Sequence, residues 1–279
     1  MTLPNLFLAG FAKCGTTFLH SILVQHESIL GYKFKETNMF NMFNDDDQIK
    51  SFADKYMLSD CNERYRVDST VTYIENIEAL DKINLICHNP KFIIGIRNLS
   101  DAIISIYAQY VYKFGKKEIE KKITERMRKC IAEDDRYYLK IKRLVDLVGE
   151  ENVFIYEFNH LKNRTKLDKL IKKIQVFLDI RVNPKFDEKK IKKNESVKIR
   201  FKVLSRIINI RGINRFLMKV FNPSVIEKLQ QIKKQIEAFN KTILKVKYNV
   251  DADLKKEVDL LYQREIKKIK SIKNLNFYA

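Results

Sequence analysis

Several features that would assign this chain to a particular class of protein are missing from its 279 residues. No internal repeat and no Gly/Ser-rich linker divides it, and no apolar run approaches the roughly 20 residues needed to span a bilayer. The chain begins with strand-like sequence and no basic leader, so we expect no secretory signal. We therefore expect one domain, residues 1–279, without a transmembrane segment and located in the cytoplasm.

Cysteine is scarce and irregularly placed. The four cysteines form no CxxC pair and have no regular spacing, which indicates neither a zinc site nor a disulfide framework. A reducing compartment fits such a pattern best. Cys14 is expected to be a small packing residue rather than a nucleophile. The others are Cys61, Cys87 and Cys130.

Acidic residues are too few to balance the basic ones, and the formal net charge is +19. Such an excess points to an anionic partner, which includes a nucleotide, an acidic glycan, nucleic acid and an anionic membrane surface. Lysines on solvated faces of a compositionally biased chain would explain much of the same excess. Charge alone therefore identifies no partner, and the hydrophobic content of 45% is ordinary for a globular protein.

The most informative stretch is residues 4–19, in which a short apolar run is followed by a glycine-bounded turn and a helix pattern. Lys13 lies inside the turn, and Thr16 and Thr17 open the helix. The N–H groups of a first helical turn and the helix dipole both favour an anion at this place. Residues 4–19 therefore predict a phosphate-binding loop, although a plain strand–helix turn with a solvated lysine has the same pattern.

This loop differs from a Walker A loop, which ends in Gly-Lys-Ser/Thr. Here the end is Gly15-Thr16-Thr17, and the lysine lies upstream at position 13. The arrangement resembles the 5′-phosphosulfate loop of sulfotransferases that use 3′-phosphoadenosine 5′-phosphosulfate (PAPS). A P-loop kinase is the rival interpretation, but it would also need an acidic Mg²⁺ ligand after a strand, and no clear one is found.

A second phosphate-binding pattern follows the apolar run 92–96, which predicts a buried strand. Arg97 then lies at the carboxyl end of that strand, where open α/β sheets bind ligands. Ser100 is expected to cap the next helix, and Ser105 lies within it. The pair Arg97 and Ser105 resembles the 3′-phosphate site of sulfotransferases, and a guanidinium fork suits a phosphate dianion.

A third element, Lys35-Glu36 followed by Phe40, resembles the Lys-Glu…Phe-Phe element of carbohydrate and heparan-type sulfotransferases. That resemblance implies that Glu36 is the catalytic base, although a charged turn has the same pattern. Asp68 lies near the position of a family lysine that is absent here, which leaves the acceptor chemistry open. His88 is the competing base, by analogy with the histidine base of the aryl and steroid enzymes. It lies too close to Arg97 along the sequence to match the position of that histidine.

The order of the remaining elements predicts an α/β protein. Strand and helix patterns alternate through residue 180, which implies a parallel sheet with helices on its faces. We expect a P-loop-type three-layer fold with a nucleotide-binding core at 1–180. The individual expectations are a β-rich stretch at 67–74, a helix at 119–148, a strand at 153–157 and a helix at 165–178.

After Arg181 we expect helices only. Residues 181–279 should form a basic helical part that covers the nucleotide and the acceptor site, with helices at 224–243 and 251–269. Lys198 and Arg200 are candidates for contact with the 3′-phosphate, since the family usually places a nucleotide-covering loop there. A solvated basic face explains these two residues equally well.

Together these resemblances imply a sulfotransferase that moves a sulfo group from PAPS to a hydroxyl or an amine of a small-molecule or glycan acceptor. Lys13 would bind the 5′-phosphate with Cys14, Gly15, Thr16 and Thr17, and no metal would be required. Peripheral contact with anionic surfaces is compatible with the charge, and no nucleic-acid partner is expected. A basic RNA- or membrane-binding module is the non-enzymatic alternative; it explains the charge but not two separate phosphate loops.

Overall fold

The computed structural model describes residues 3–58, 63–133, 137–183, 185–190, 197–199, 241–243 and 248–278. Its centre is a six-stranded sheet in which every pairing is parallel. The strand order is β2-β3-β1-β4-β5-β8, and a separate antiparallel pair is formed by β6 and β7. The strands are β1 Leu6–Gly10, β2 Ile29–Gly31, β3 Tyr65–Asp68, β4 Lys91–Ile96, β5 Val153–Glu157, β6 Val197–Ile199, β7 Lys241–Ile243 and β8 Asn276–Tyr278.

Helices connect the strands and cover the sheet. They are α1 Thr16–Leu23, α2 Met39–Met42, α3 Asp46–Tyr56, α4 Ile77–Ile86, α5 Leu99–Ala108, α6 Val111–Phe114, α7 Lys116–Glu133, α8 Tyr138–Val148, α9 Arg164–Phe177 and α10 Ala252–Lys270. Within the described ranges, none of these helices has both the length and the apolar character that crossing a bilayer requires.

The core has two layers because the central strands alternate their side chains between the two faces of the sheet. Leu6 and Leu8 of β1 belong to the cluster that contains α1 and α9. Phe7 and Ala9 belong to the opposite cluster, which contains side chains of α5, α7, α8 and α10. Helix, sheet and helix layers thus confirm the predicted three-layer α/β fold.

Strand β1 lies between β3 and β4, so the chain builds the sheet outward from it in two directions. The connections leave β1 first toward β2 and β3, and then cross to β4 and β5 on its other side. Such a reversal of strand order opens a crevice at the carboxyl edge of the sheet, where parallel α/β proteins bind their ligands. The loops that follow β1 and β4 therefore meet at the expected binding edge.

Two local predictions were wrong. The cap of α5 is Asn98, whose side chain accepts the N–H of Asp101, whereas Ser100 lies inside the helix and donates its hydroxyl to Asn98. The predicted helix at 119–148 is two helices, since α7 ends at Glu133 and α8 begins at Tyr138. The N–H groups of Tyr137 and Tyr138 bond a carboxylate of α10 instead of continuing α7.

The expectation that no strand follows Arg181 was also wrong. Strand β8 pairs in parallel with β5, and β6 pairs with β7. These strands have only three residues each, too few for a period-2 pattern to stand out. The expected helix at 251–269 is confirmed as α10. The one at 224–243 is wrong at 241–243, which form β7, and otherwise lies outside the described residues.

Candidate active site

The loop between β1 and α1 depends on an unusual backbone. Gly15 caps α1 with φ of 83°, and Lys13 also has a positive φ, of 68°. A side chain at Gly15 would be strained by this φ and would overlap Leu161 while crowding Phe158. A glycine is therefore required at position 15, and the loop packs closely on the segment that follows β5.

The N-terminus of α1 faces this loop without a side-chain cap. Gly15 contributes no capping side chain, and the helix holds no acidic residue in its first turn. The first α-helical bond runs from the N–H of Leu19 to the carbonyl of Gly15. A carboxylate at the N-cap or in the first turn would otherwise complement the positive end of the helix, so an external anion is favoured there.

Cys14 shapes this loop instead of lining it. Its side chain is fully buried, and burial raises the pKa of its thiol to about 12. Its N–H donates to the carbonyl of Phe11, and its own carbonyl accepts the hydroxyl of Tyr156 at 3.0 Å. Its polar groups are thus turned toward the protein, which fits the expected packing role, and its expected contact with the 5′-phosphate stays a prediction.

Arg97 follows β4 and reaches the same loop. Its Nη1 donates to the carbonyl of Lys13 at 3.1 Å, and its guanidinium lies over the ring of Phe158 at 4.4 Å from the centroid. Its Nε is buried and has no hydrogen-bond partner among the described residues. A buried guanidinium N–H is seldom left without an acceptor, so Arg97 retains an unused donor at this place.

Lys13 and Arg97 are close enough to repel each other. Burial, and secondarily the charge of Arg97, lower the pKa of the Lys13 ammonium below its ordinary value of 10.5. No carboxylate of the described residues forms an ion pair with either side chain. Two cations held together without a counter-charge are electrostatically unfavourable until an anion binds between them.

Ser105 is less closely tied to this site. It lies in α5 with a partly exposed side chain, and within the described residues its hydroxyl bonds neither Arg97 nor Lys13. Its predicted contact with a 3′-phosphate therefore stays a prediction. The same holds for Lys198 and Arg200: the Lys198 side chain and the whole of Arg200 lie outside the described residues.

The pair Lys35 and Glu36 lies beside the loop between β1 and α1. Lys35 Nζ contacts Glu36 Oε1 at 2.8 Å and Thr16 Oγ1 at 3.4 Å, and it donates to the carbonyl of Ser69 at 3.2 Å. The exposed fraction of the side chain is 19% for Lys35 and 46% for Glu36. One ammonium thus links the first residue of α1 to a carboxylate that solvent, and hence an acceptor, can reach.

A buried carboxylate holds this pair in place. Asp68 ends β3 and accepts the hydroxyls of Thr37, Thr70 and Tyr73 at 2.5–2.8 Å. The N–H of Thr70 also donates to it. Burial raises the pKa of Asp68, although these hydrogen bonds oppose that shift. Asp68 thereby fixes the backbone just after Glu36.

Asp68 also bears on the rival interpretation as a kinase. It ends the strand beside β1, which is where an acidic Mg²⁺ ligand of a P-loop enzyme would be expected. Both of its oxygens, however, accept hydrogen bonds from the protein, and the side chain has no exposed surface. This carboxylate is therefore built into the core and is not presented to a bound nucleotide.

His88 lies at the opposite edge of the sheet. It precedes β4 at the amino end, whereas Arg97 follows β4 at the carboxyl end. A six-residue strand spans roughly 20 Å at about 3.3 Å per residue, so the exposed His88 imidazole is remote from the loop between β1 and α1. Of the two predicted candidates for a base, only Glu36 lies beside this loop.

Three aromatic side chains that support the site were not predicted from sequence. Phe158 lies under Arg97, Tyr156 holds the carbonyl of Cys14, and the hydroxyl of Tyr137 donates to the carbonyl of Arg97 at 2.8 Å. Phe158 and Tyr156 lie at the end of β5 in the sequence, next to the expected binding edge. That position was the one available signal, and nothing in the sequence connects Tyr137 to Arg97.

Comparisons with known proteins identify the family and the fold of this chain. The family model described as "Sulfotransferase domain" matches residues 3–235. The sulfotransferase of Alicyclobacillus acidocaldarius is a structural neighbour, with 20% identity, a TM-score of 0.53 and coverage of 74% of this chain and 90% of that one. At this identity the likeness shows a shared fold.

Two other solved structures are more distant. The sulfotransferase domain from the curacin biosynthetic pathway has 14% identity and a TM-score of 0.44, covering 69% of this chain and 81% of that one. The sulfotransferase domain of the Synechococcus PCC 7002 olefin synthase has 11% identity and a TM-score of 0.42, covering 93% and 94%. No curated protein sequence gives a significant match.

The family model spans most of the chain and includes the loop after β1, the Lys35–Glu36 pair and Arg97. These are the elements that the structure brings together at the carboxyl edge of the sheet. The chain therefore belongs to the sulfotransferase domain family, and sulfo transfer is the general activity that this membership implies.

Proposed function

We propose that this protein transfers a sulfo group from PAPS to a hydroxyl of a carbohydrate-class acceptor, with residues 1–279 acting as one domain. The observation that carries the proposal is the cation pair Lys13 and Arg97, which no carboxylate of the described residues balances and which is joined through the Lys13 carbonyl. PAPS has phosphate groups at both the 5′ and the 3′ position. A ligand with two separate phosphates suits two adjacent cations better than a ligand with one.

The 5′-phosphate would bind at the N-terminus of α1. Gly15, Thr16 and Thr17 would supply backbone and hydroxyl donors, and Lys13 would supply charge. When the bond from sulfur to the phosphate oxygen breaks, negative charge grows on that oxygen. An ammonium and a helix N-terminus aimed at this position stabilise the transition state more than the ground state.

The 3′-phosphate would bind Arg97, with Ser105 as a further donor. The face of the guanidinium is already fixed by Phe158 and one of its nitrogens by the Lys13 carbonyl. A pre-positioned arginine loses little side-chain freedom when it binds. This site would distinguish PAPS from ATP, which has no 3′-phosphate.

Glu36 would accept the proton of the attacking hydroxyl. Its exposed carboxylate lies beside Thr16 through the shared Lys35 contact, so an acceptor can approach from solvent. The acceptor oxygen then forms its bond to sulfur as the phosphate oxygen leaves, and the proton passes to Glu36. The resemblance of the Lys35–Glu36 element to carbohydrate and heparan-type enzymes supports the acceptor class.

Thermal unfolding in the presence of nucleotides tests the proposal. The desulfated product, 3′-phosphoadenosine 5′-phosphate (PAP), should raise the melting temperature far more than ATP with Mg²⁺. A ligand at a hundred times its dissociation constant stabilises the native state by about 2.7 kcal/mol. Equal shifts from PAP and ATP would overturn the assignment of the 3′-phosphate site to Arg97 and Ser105.

A further inference from the structure

We infer that Lys35 is a second catalytic cation, which binds the oxygens of the sulfo group while it passes from the nucleotide to the acceptor. This inference rests on the proposed function, since it assigns a residue to the transfer step of that reaction. It differs from the role of Lys13, which lies in the loop that would bind the phosphate.

The position of the ammonium carries the inference. Lys35 Nζ touches Thr16 Oγ1 on the nucleotide side and Glu36 Oε1 on the acceptor side. In an in-line transfer, sulfur lies between the leaving phosphate oxygen and the attacking hydroxyl oxygen. The three remaining sulfo oxygens then project sideways from that line, and Lys35 lies beside the path from Thr16 to Glu36.

The side chain is also held ready for this contact. The carbonyl of Ser69 fixes the ammonium at 3.2 Å, and the N–H of Ser69 donates to the carbonyl of Lys35. Ser69 has no exposed surface and follows the buried Asp68. With an exposed fraction of only 19%, Lys35 is shielded enough for its charge to act more strongly than in bulk water.

The chemistry needs no group beyond those already named. The acceptor oxygen forms a bond to sulfur, the bond from sulfur to the 5′-phosphate oxygen breaks, and that oxygen keeps the electron pair. Glu36 receives the acceptor proton. Lys35 transfers no proton; it moves part of its contact from the Glu36 carboxylate to the sulfo oxygens, beside the line that joins the two reacting oxygens.

Binding measurements on PAP and PAPS, without acceptor, test the role of Lys35 apart from catalysis. The two nucleotides differ by the sulfo group alone. Lys35→Gln keeps a donor for the Ser69 carbonyl but removes the charge, and it should lower the affinity for PAPS by about tenfold relative to PAP. Lys35→Arg should restore most of that difference. Lys50→Met, which removes an exposed lysine paired with Asp47, should leave both affinities unchanged.

Each other outcome has a definite meaning. A wild-type protein that binds neither PAP nor PAPS would refute the proposed function itself. A wild type that binds both, with the ratio of the two affinities unchanged in folded Lys35→Gln, would refute only the role of Lys35. An equal loss of both nucleotides would show that Lys35 supports the loop through Thr16, which also overturns the inference. Lys35→Met provides the same comparison if Lys35→Gln does not give a cooperative thermal transition.

Discussion

Glu265 of α10 caps α8 from a distance of more than a hundred residues in the chain. Its Oε2 accepts the N–H groups of Tyr137 and Tyr138 at 2.9 and 2.7 Å, and its side chain is fully buried. The hydroxyl of Tyr137 in turn donates to the carbonyl of Arg97. A helix near the end of the chain thus fixes the segment that holds the proposed 3′-phosphate ligand.

Glu265→Leu should destabilise the protein, because the buried N–H of Tyr137 and the partly buried N–H of Tyr138 lose their acceptor. We expect a loss of at least about 1–3 kcal/mol in the free energy of unfolding, measured by urea titration. Glu265→Gln keeps an amide oxygen at the same place and should cost less. The exposed Glu257→Gln on the same helix is the matched control, and equal effects at both sites would contradict the capping role.

A fragment consisting of residues 181–279 should not fold alone. Strand β8 pairs only with β5 in the described sheet, and α10 packs its buried residues on α5, α7 and α8. All of these partners lie before residue 181, and an isolated helix draws little stability from its own sequence. A cooperative thermal transition in the isolated fragment would contradict this prediction.

The parts of the site that sequence alone predicted are those encoded in short contiguous stretches. The loop with Lys13 and Gly15 and the strand end with Arg97 each combine a buried strand, a turn residue and a helix start. Local propensity and strand direction then determine where these side chains lie. This is why the sequence could indicate the loop after β1 and the end of β4 as candidate phosphate-binding places.

The parts that sequence did not predict depend on contacts between distant segments. Lys35 meets Thr16 through the packing of the β3 end, and Glu265 meets Tyr137 through the packing of α10 on α8. The second of the two helices within 119–148 begins at that second contact, whereas the helical periodicity is similar on both sides of the break. Residue patterns show which face of a helix is apolar, but they do not show which distant polar side chain will bond the N–H groups at its start.

Arg97→Ala should weaken PAP binding while leaving the fold intact enough for measurement. A charge-assisted hydrogen bond to phosphate is worth about 1.5–3 kcal/mol, which corresponds to at least about a tenfold rise in Kd. Binding of adenosine 5′-phosphosulfate, which lacks the 3′-phosphate, should change much less. Calorimetric titration of both ligands checks this, and an equal loss for both would indicate that Arg97 acts by supporting the Lys13 loop.

Lys13 should make PAP binding sensitive to alkaline pH. In the free protein its pKa is lowered by burial and by Arg97, so the native state holds this proton less tightly than the unfolded chain. Between the lowered pKa and 10.5 the free protein therefore gains stability from this group as pH rises. A bound phosphate favours the ammonium, so binding in this window requires proton uptake and PAP affinity falls as pH rises.

Two substitutions at position 13 check this prediction. Lys13→Arg, which stays charged throughout, should remove most of the decline in PAP affinity between about pH 7 and about pH 10. Lys13→Met should lose affinity at every pH by about tenfold or more, because the phosphate loses a charged donor. The unliganded Lys13→Met protein should melt no lower than wild type near neutral pH, because the substitution removes a partly buried charge that no carboxylate of the described residues pairs. A decline that persists unchanged in Lys13→Arg would assign the titration to another group.

Glu36→Gln should separate binding from chemistry. The amide keeps the size of the side chain and can still accept a hydrogen bond from Lys35, so PAP should bind nearly as in wild type. It is not a base at neutral pH, and loss of a general base lowers a rate by about 10²–10⁴. Sulfo transfer to a hydroxyl acceptor, followed with labelled PAPS at saturating nucleotide, should therefore fall by that factor.

His88→Ala is the matched test of the competing base. His88 lies at the amino edge of the sheet, on the far side of β4 from Arg97, so its removal should leave turnover unchanged. The Lys35 ammonium contacts both the Glu36 carboxylate and the Thr16 hydroxyl. Glu36 therefore lies near the place where an acceptor hydroxyl and the sulfo group would meet. If Glu36→Gln kept full turnover while His88→Ala abolished it, the carbohydrate-type mechanism would be wrong. A histidine base of the aryl and steroid type would then have to reach the sulfur across the length of a strand, which this sheet does not allow without rearrangement.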